Sequence, residues 1–153
     1  MDGEHTIERS YEVTARVLEA VFVELSAHRV QLEELLLKTN MVLSGYDCPV
    51  QVTSDEVADW TIRCLEHRLP VAVPGVVFLS GGQSEEVATT NLDAIARCEK
   101  RPWELSFSFG RALQASALRA WADDPGDLAA AQGKFQRRAT ETAAARESKY
   151  VAA

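Results

Sequence analysis

The sequence is short of cysteine, and its few cysteines stand alone. None of the three has a partner at Cys-x-x-Cys spacing, so the pattern indicates neither a zinc site nor a disulfide scaffold. We expect free thiols, buried or partly buried, in a reducing compartment. The three histidines are scattered as well, so we expect no metal and no other cofactor. The cysteines are Cys48, Cys64 and Cys98, and the histidines are His5, His28 and His67.

Long apolar runs and an excess of positive charge are also missing. No stretch approaches the roughly 20 apolar residues that cross a bilayer, and the first ten residues, MDGEHTIERS, are too polar for a signal peptide. The net charge is −7, which argues against nucleic acid or an anionic membrane as a partner. We therefore expect a cytoplasmic protein. Its 153 residues, 46% of them hydrophobic, suit one globular domain.

What the chain does contain is an alternation of helical and strand patterns. Helical periodicity or capping predicts helices over residues 6–27, 53–67 and 84–98, from 111 onward, and from Asp124-Pro125 to about 149. Alternating or continuous apolar runs predict strands over 71–79 and 103–109. Residues 32–38 could be a helix or a buried strand, and 40–52 reads as a loop. Strands that alternate with helices predict βαβ units and a parallel sheet.

The apolar positions of these elements predict the core. Thr53 and Glu56 form a capping-box pattern that opens one helix, and the strand over 71–79 is apolar enough to be buried on both faces. We expect the three tryptophans to be core or packing residues. The predicted inward positions in the helices are Ile7, Tyr11, Val17 or Leu18, Val21, Leu25, Val57, Trp60, Ile62, Leu65, Val87, Leu92 and Ile95, with Trp103 and Trp121 completing the tryptophans.

Ser80, Gly81 and Gly82 follow the most apolar strand. Ser84 is a candidate N-cap for the next helix, which has glutamates in its first turn. A strand, a glycine pair and a helix start can point backbone N–H groups at an anion. The same pattern also describes an ordinary strand-to-helix turn that uses glycine for its backbone freedom. The residues alone leave both interpretations open.

Lys38 ends the apolar run LLLK. If that run is a strand, the amine lies at its carboxyl end, where barrel active sites are built. Burial lowers the pKa of a lysine, and the neutral amine can then form a Schiff base with a carbonyl. A lysine that reaches to the surface from a strand end is the alternative. Glu33 and Glu34, just before this run, could transfer protons or could be solvated loop charges.

Gly110 and Arg111 stand where the next strand ends and a helix begins. A guanidinium beside helix-start N–H groups would hold a phosphate through two hydrogen bonds. An arginine in a solvated first turn is the alternative. Barrel enzymes often hold a phosphate with the loops after their last two strands, and here those loops carry Ser80-Gly81-Gly82 and Gly110-Arg111.

Three stretches together resemble the class I fructose-1,6-bisphosphate aldolases of glycolysis, namely LLLKTNMV, VVFLSGGQSEE and SFSFGRALQASALRAW. The resemblance runs from about residue 4 to about residue 150 without a large gap. That family folds as a (β/α)8 TIM barrel. The resemblance therefore implies an α/β fold in which residues 1–153 form a single partial domain. This domain would be the C-terminal part of the barrel, with about three parallel strands and flanking helices.

The resemblance also implies a reaction and its residues. The reaction is the cleavage of fructose 1,6-bisphosphate to dihydroxyacetone phosphate and glyceraldehyde 3-phosphate, without a metal. Lys38 matches the family's Schiff-base lysine. Ser80 and Gly81 match one side of phosphate recognition, and Gly110 and Arg111 match the other. The implied partners are sugar phosphates and, from the family's tetramer, further copies of the chain.

The resemblance covers only the C-terminal part of the family's sequence. The family's general acid/base glutamate and its acidic residue on an early strand have no counterpart in these 153 residues. Thr39 stands where the family usually has proline, and Tyr150 precedes the position of the family's C-terminal tail. Two functions stay open. One is the aldolase itself, and the other is a truncated, catalytically incompetent half-barrel that only binds sugar phosphates or self-associates.

Overall fold

The computed structural model describes residues 1–98 and 101–151. Within them, helices and strands alternate as the sequence predicts, and a 3-10 turn at Leu32–Glu34 precedes the first strand. The strands are β1 (Leu36–Thr39), β2 (Gly75–Phe78) and β3 (Glu104–Phe107). The helices are α1 (Ile7–Ala27), α2 (Ser54–Arg68), α3 (Glu85–Arg97), α4 (Arg111–Asp123) and α5 (Leu128–Arg146).

The three strands form one parallel sheet in the order β1-β2-β3. Helix α2 connects β1 to β2, and α3 connects β2 to β3, so each connection is a βαβ unit. Lys38 is in register with Val77, which is in register with Ser106. All three strands therefore end at the same edge of the sheet, and the predicted parallel α/β architecture is confirmed.

Side-chain caps explain where the helices begin. The Thr6 hydroxyl accepts from the amide of Arg9, and the Ser84 hydroxyl accepts from the amide of Val87 at 3.1 Å. Thr53 and Glu56 make the full capping box, in which each side chain binds the other residue's amide. These bonds satisfy N–H groups that the helix itself leaves unpaired, so the predicted starts of α2 and α3 are confirmed.

The two faces of the sheet have different surroundings. Val76, Phe78 and Leu105 point toward the helices and are buried, with Leu92 and Ile95 of α3 packed in the same core. Leu36 and Lys38, which alternate with these positions, are exposed on the other face, and Leu36 is 58% accessible. Val77 on that face is half-buried, so β2 is fully buried only on its helical side.

The strands are shorter than predicted. β2 begins at Gly75 rather than at residue 71, because residues 71 and 72 form a turn in which Pro70 O accepts from the amide of Val73. Val71 is 75% exposed in that turn. β3 covers four of the seven predicted residues. The ambiguous segment 32–38 divides into a 3-10 turn and the strand β1, and 40–52 is a loop as predicted.

Three predicted inward positions are exposed instead. Val21 lies on the outer face of α1, and Val87 lies in the first turn of α3, about 100° around the helix from the buried Ala88. Trp121 is 50% exposed in the last turn of α4, a helix that packs mainly on α5. Trp103 is buried and Trp60 is half-buried, as expected.

The start of the last helix is also corrected. Asp124 caps the end of α4, and residues 125 and 126 form a turn. Helix α5 begins at Leu128, because the Asp127 carboxylate accepts from the amide of Ala130 at 3.0 Å. A carboxylate one residue before the helix is a stronger start signal here than proline.

Among the described residues, no helix is long and apolar enough to cross a membrane. The same part of the chain holds no group of three or more His, Cys, Asp or Glu side chains placed to bind a metal ion. The described cysteines are free thiols, with Cys48 and Cys64 buried and Cys98 half-buried. Burial raises the pKa of the Cys64 thiol to about 11.

Candidate functional site

The turn after β2 is a tight four-residue turn from Ser80 to Gln83. The amide of Gln83 donates to Ser80 O at 3.0 Å, and Gly81 and Gly82 between them have φ angles of 58° and 91°. Positive φ at both central positions is the reason that this turn needs two glycines. Neither glycine amide donates to a backbone carbonyl of the described residues, so both N–H groups remain to bind a ligand.

Gln83 fixes this turn from the inside. Its side chain is buried, its Nε2 donates to Ser80 O at 2.9 Å, and its Oε1 accepts from Asn91 of α3 at 2.8 Å. A buried amide pair with its hydrogen bonds satisfied rigidifies its surroundings. The turn is therefore held by the helix that follows it.

Arg111, the first residue of α4, lies beside this turn. A Cβ atom built on Gly82 would be 3.4 Å from Nη2 of Arg111. The guanidinium and the turn line one cavity of about 830 Å³, together with Arg9 and His5. Arg9 pairs with Glu12 at 3.1 Å, and Asp2 also lines the cavity. The arrangement that favours an anionic ligand is therefore Arg111 beside the backbone N–H groups of the turn.

Tyr46 and the N-terminal residues cover the same turn. The Tyr46 hydroxyl donates to Gly81 O at 3.0 Å, and the side chain of Met1 packs where a Cβ on Gly81 would be. Burial and the nearby Asp2 carboxylate raise the pKa of Tyr46, and the Arg111 guanidinium lowers it in part. Asp2 and Arg111 thus shift the pKa of Tyr46, at the edge of the cavity, in opposite directions.

Lys38 lies one residue before the carboxyl end of β1, the place that its sequence context suggests if the run is a strand. It lies in β1 on the uncovered face of the sheet, next to Val77 in register, and is exposed. It does not line the cavity that holds the glycine turn and Arg111. Thr39 points to the helical side and is buried.

The remaining predicted residues lie either in the two glycine turns or in the 3-10 turn before β1. Ser80 is buried, and its carbonyl oxygen serves the turn. Gly110 is exposed as the N-cap of α4, its φ is −99°, and a Cβ there would meet nothing within 4 Å. Glu33 and Glu34 are exposed in the 3-10 turn before β1. The structure brings Gly81 and Arg111 together and leaves Lys38 on the neighbouring open face.

Sequence reasoning missed several residues around the turn. Tyr46 belongs to a loop without periodicity, and Gln83 and Asn91 read as ordinary polar positions. Arg138 is buried in α5, directly after the exposed Arg137 and before the half-buried Ala139. The signal available was weak, since Gln83 precedes the N-cap of α3 and Asn91 lies within that helix, eight residues further along the chain.

Comparison with known proteins identifies the family of this chain. A sequence model described as fructose-bisphosphate aldolase class-I matches residues 1–153. Fructose-bisphosphate aldolase of Dictyostelium discoideum is 49% identical over 99% of this chain, and aldolase A of Salmo salar is 51% identical over 99%. In both cases the chain spans only 42% of the relative's length.

A solved structure shows the same likeness. Fructose-bisphosphate aldolase from Plasmodium falciparum, crystallised in complex with TRAP and a small-molecule inhibitor, superposes with a TM-score of 0.95 at 45% identity. The match covers 99% of this chain and 44% of that one. The strand order, the glycine turn and the adjacent Arg111 thus occur in a chain that belongs to the class I fructose-bisphosphate aldolase family.

Proposed function

We propose that this chain supplies the Schiff-base lysine and the phosphate-binding turns of a class I aldolase that cleaves fructose 1,6-bisphosphate to dihydroxyacetone phosphate and glyceraldehyde 3-phosphate. The observation that carries the proposal is the placement of Arg111 beside the Gly81–Gly82 turn. This anion-binding arrangement lies at the edge where β1, with Lys38, also ends. The family membership supports the same reaction.

In this proposal Lys38 is the nucleophile. Its Nζ adds to the C2 carbonyl of the ketose, and loss of water leaves an iminium ion. The C4 hydroxyl proton passes to a base, the C3–C4 bond breaks, and its electrons flow into the iminium as an enamine. Glyceraldehyde 3-phosphate departs first. Protonation at C3 and hydrolysis then release dihydroxyacetone phosphate and restore the amine.

Ser80, Gly81, Gly110 and Arg111 hold one substrate phosphate in this proposal. The free amides of the glycine turn supply backbone donors, and Arg111 supplies a charged fork. The phosphate fixes the ketose so that its carbonyl meets the amine. The base needed at C4 is the glutamate that the family resemblance places outside these 153 residues, so the chain by itself is expected to form the imine more readily than to complete the cleavage.

Reductive trapping tests the role of Lys38. Borohydride added with dihydroxyacetone phosphate should add the mass of the reduced adduct to the peptide that contains Lys38, and Lys38→Arg should abolish this adduct. Lys134→Arg is the matched control, because Lys134 lies on the exposed side of α5. Peptide mass spectrometry locates the label. Equal labelling of the wild type and Lys38→Arg would refute the assignment.

One observation favours the second function, a binding half-barrel that self-associates. In the part of the chain that the structure describes, the sheet has two open edges, and its uncovered face presents Leu36 and Val77 around Lys38. Open strand edges beside apolar surface promote association. We therefore infer that the 153-residue chain forms a homo-oligomer. Light scattering during size exclusion should give a mass of at least two chains, and a monodisperse monomer without dye-binding apolar surface would contradict it.

A further inference from the structure

Arg138 is a charged side chain in an unusual place. It projects from α5, and its side chain is only 5% exposed. A buried guanidinium is costly unless hydrogen bonds and opposite charge compensate it. Its partners therefore show what the buried arginine accomplishes.

Three of the residues that Arg138 contacts lie on two other helices. Its Nη2 donates to Thr89 Oγ1 at 2.6 Å and to Glu85 O at 2.9 Å, both in α3. Its Nε and Nη2 also lie 3.4 Å and 3.3 Å from Ala112 O, at the start of α4. Its Nη1 donates to Glu141 on its own helix at 2.5 Å, which supplies opposite charge.

Two of these contacts, to Glu85 O and Ala112 O, fall on the first two residues of the helices that follow the two turns of the site. Glu85 begins α3, three residues after Gly82, and Ala112 follows Arg111 in α4. A second contact joins the same helices, because Glu85 Oε1 accepts from the amide of Ser116 at 2.8 Å. One buried guanidinium thus connects the backbone next to the glycine turn with the backbone next to Arg111.

We propose that Arg138 is a positioning residue whose guanidinium sets the separation between the Gly81–Gly82 turn and Arg111. Arg138 does not reach the cavity itself. It holds two helix starts in one relation, so that backbone donors and the Arg111 fork converge on one phosphate before the ligand arrives. Donors that are fixed in advance bind more tightly than donors that must be ordered on binding. The inference rests on the proposed function, since it assigns this phosphate site a supporting residue.

The test compares three variants of the full chain. Arg138→Met removes the donors and keeps an unbranched side chain, and Arg138→Lys keeps the charge without the fork. Arg137→Met is the matched control. Arg137 is the adjacent arginine on α5, is 60% exposed in its side chain, and also pairs with Glu141.

The first readout separates phosphate binding from the rest of the site. Borohydride trapping is measured against concentration with dihydroxyacetone phosphate and with dihydroxyacetone, which lacks the phosphate. Arg138→Met should raise the half-saturating concentration of the phosphorylated compound about tenfold, because small misplacements of binding groups cost that much or more. Trapping of dihydroxyacetone should not change. General loss of folding would instead weaken both, and Arg138→Lys should recover only part of the loss.

The second readout needs no ligand. Amide hydrogen exchange of Gln114, which donates to Gly110 O at 3.2 Å, reports the first turn of α4. Arg138→Met should accelerate exchange there and in α3 around Thr89, and Arg137→Met should not.

The outcomes distinguish this inference from the proposed function. If the wild type discriminates the two compounds and Arg138→Met keeps the same ratio, the inference is wrong and the function stands. If the wild type traps neither compound, the proposed function fails, and exchange then decides the inference. Faster exchange only in Arg138→Met supports the positioning role, and unchanged exchange overturns it.

Discussion

The two turns of the site are both glycine turns at strand ends, yet their glycines do different things. Gly81 and Gly82 have positive φ angles, and their surroundings are crowded by Met1, Tyr46 and Arg111. Gly110 has a negative φ, and a Cβ there would meet no atom within 4 Å. Backbone conformation disfavours side chains other than glycine in the first turn, whereas the second turn has open space for a Cβ.

This difference between the glycines indicates that the two turns contribute different groups to the proposed site. In the proposed site, the turn after β2 would contribute backbone donors, with both of its glycines in a left-handed conformation, whereas the turn after β3 would contribute the Arg111 side chain. Three experiments test this division, in order of decreasing effect.

Removal of Arg111 should have the largest effect. Arg111→Ala deletes a charged hydrogen-bond donor, a loss of roughly 1.5–3 kcal/mol. Affinity for dihydroxyacetone phosphate should therefore fall about tenfold to hundredfold. Calorimetry measures the affinity. Arg119→Ala, two turns further along α4 and exposed, is the control and should bind like the wild type. Unchanged binding in Arg111→Ala would show that the Arg111 guanidinium does not contribute to the affinity for the phosphate.

Alanine substitution should lower the stability of the protein more in the first turn, at Gly81, than in the second turn, at Gly110. Gly81→Ala forces a left-handed backbone on a residue with a Cβ, which costs about 1–2 kcal/mol, and it also displaces Met1. Gly110→Ala should change the free energy of unfolding by less than about 1 kcal/mol, since a compatible alanine also restricts the unfolded chain. Urea denaturation measures both. Equal urea midpoints for the two variants would show that the difference in φ between Gly81 and Gly110 does not affect stability.

The smallest effect concerns the titration of Tyr46. Burial and Asp2 raise its pKa, so the folded chain keeps this proton when the unfolded chain has lost it. Stability from Tyr46 is therefore complete below about pH 10, the ordinary tyrosine value, and is lost as the pH rises through the folded value. Tyrosinate absorbance should show the pKa falling in Asp2→Asn and rising further in Arg111→Ala. Tyr46→Phe identifies the signal, and identical curves in all variants would exclude the coupling.

Much of the fold follows from local signals in the sequence. The capping box at Thr53, the Ser84 cap and the apolar strands placed α2, α3 and the parallel sheet correctly. The element ends were less predictable. Val71 is as apolar as its neighbours, and only the turn at Pro70 moves it out of the strand. The exposure of Trp121 depends on which helices cover α4, and this is a property of the tertiary packing.

The site was predictable only in part. The glycine pair and Arg111 can be recognised from their residue types at strand ends, and the structure brings them together. The buried contacts of Gln83 and Arg138 join helices far apart in the chain, with Arg138 and Thr89 separated by 49 positions. No pattern in a single sequence encodes such a meeting. The exposure of Lys38 depends in turn on what covers the open face of the sheet.

The three tryptophans differ in exposure, so their fluorescence reports on different parts of the structure. Trp103 is buried, and its Nε1 donates to Pro70 O at 3.1 Å. Trp60 stacks under the Arg63 guanidinium with Tyr11 at its edge, and Trp121 stands half in water on α4. A soluble quencher should therefore reach their fluorescence in the order Trp121, Trp60, Trp103. Emission from Trp103 would shift to the red only when the start of β3 separates from the approach to β2.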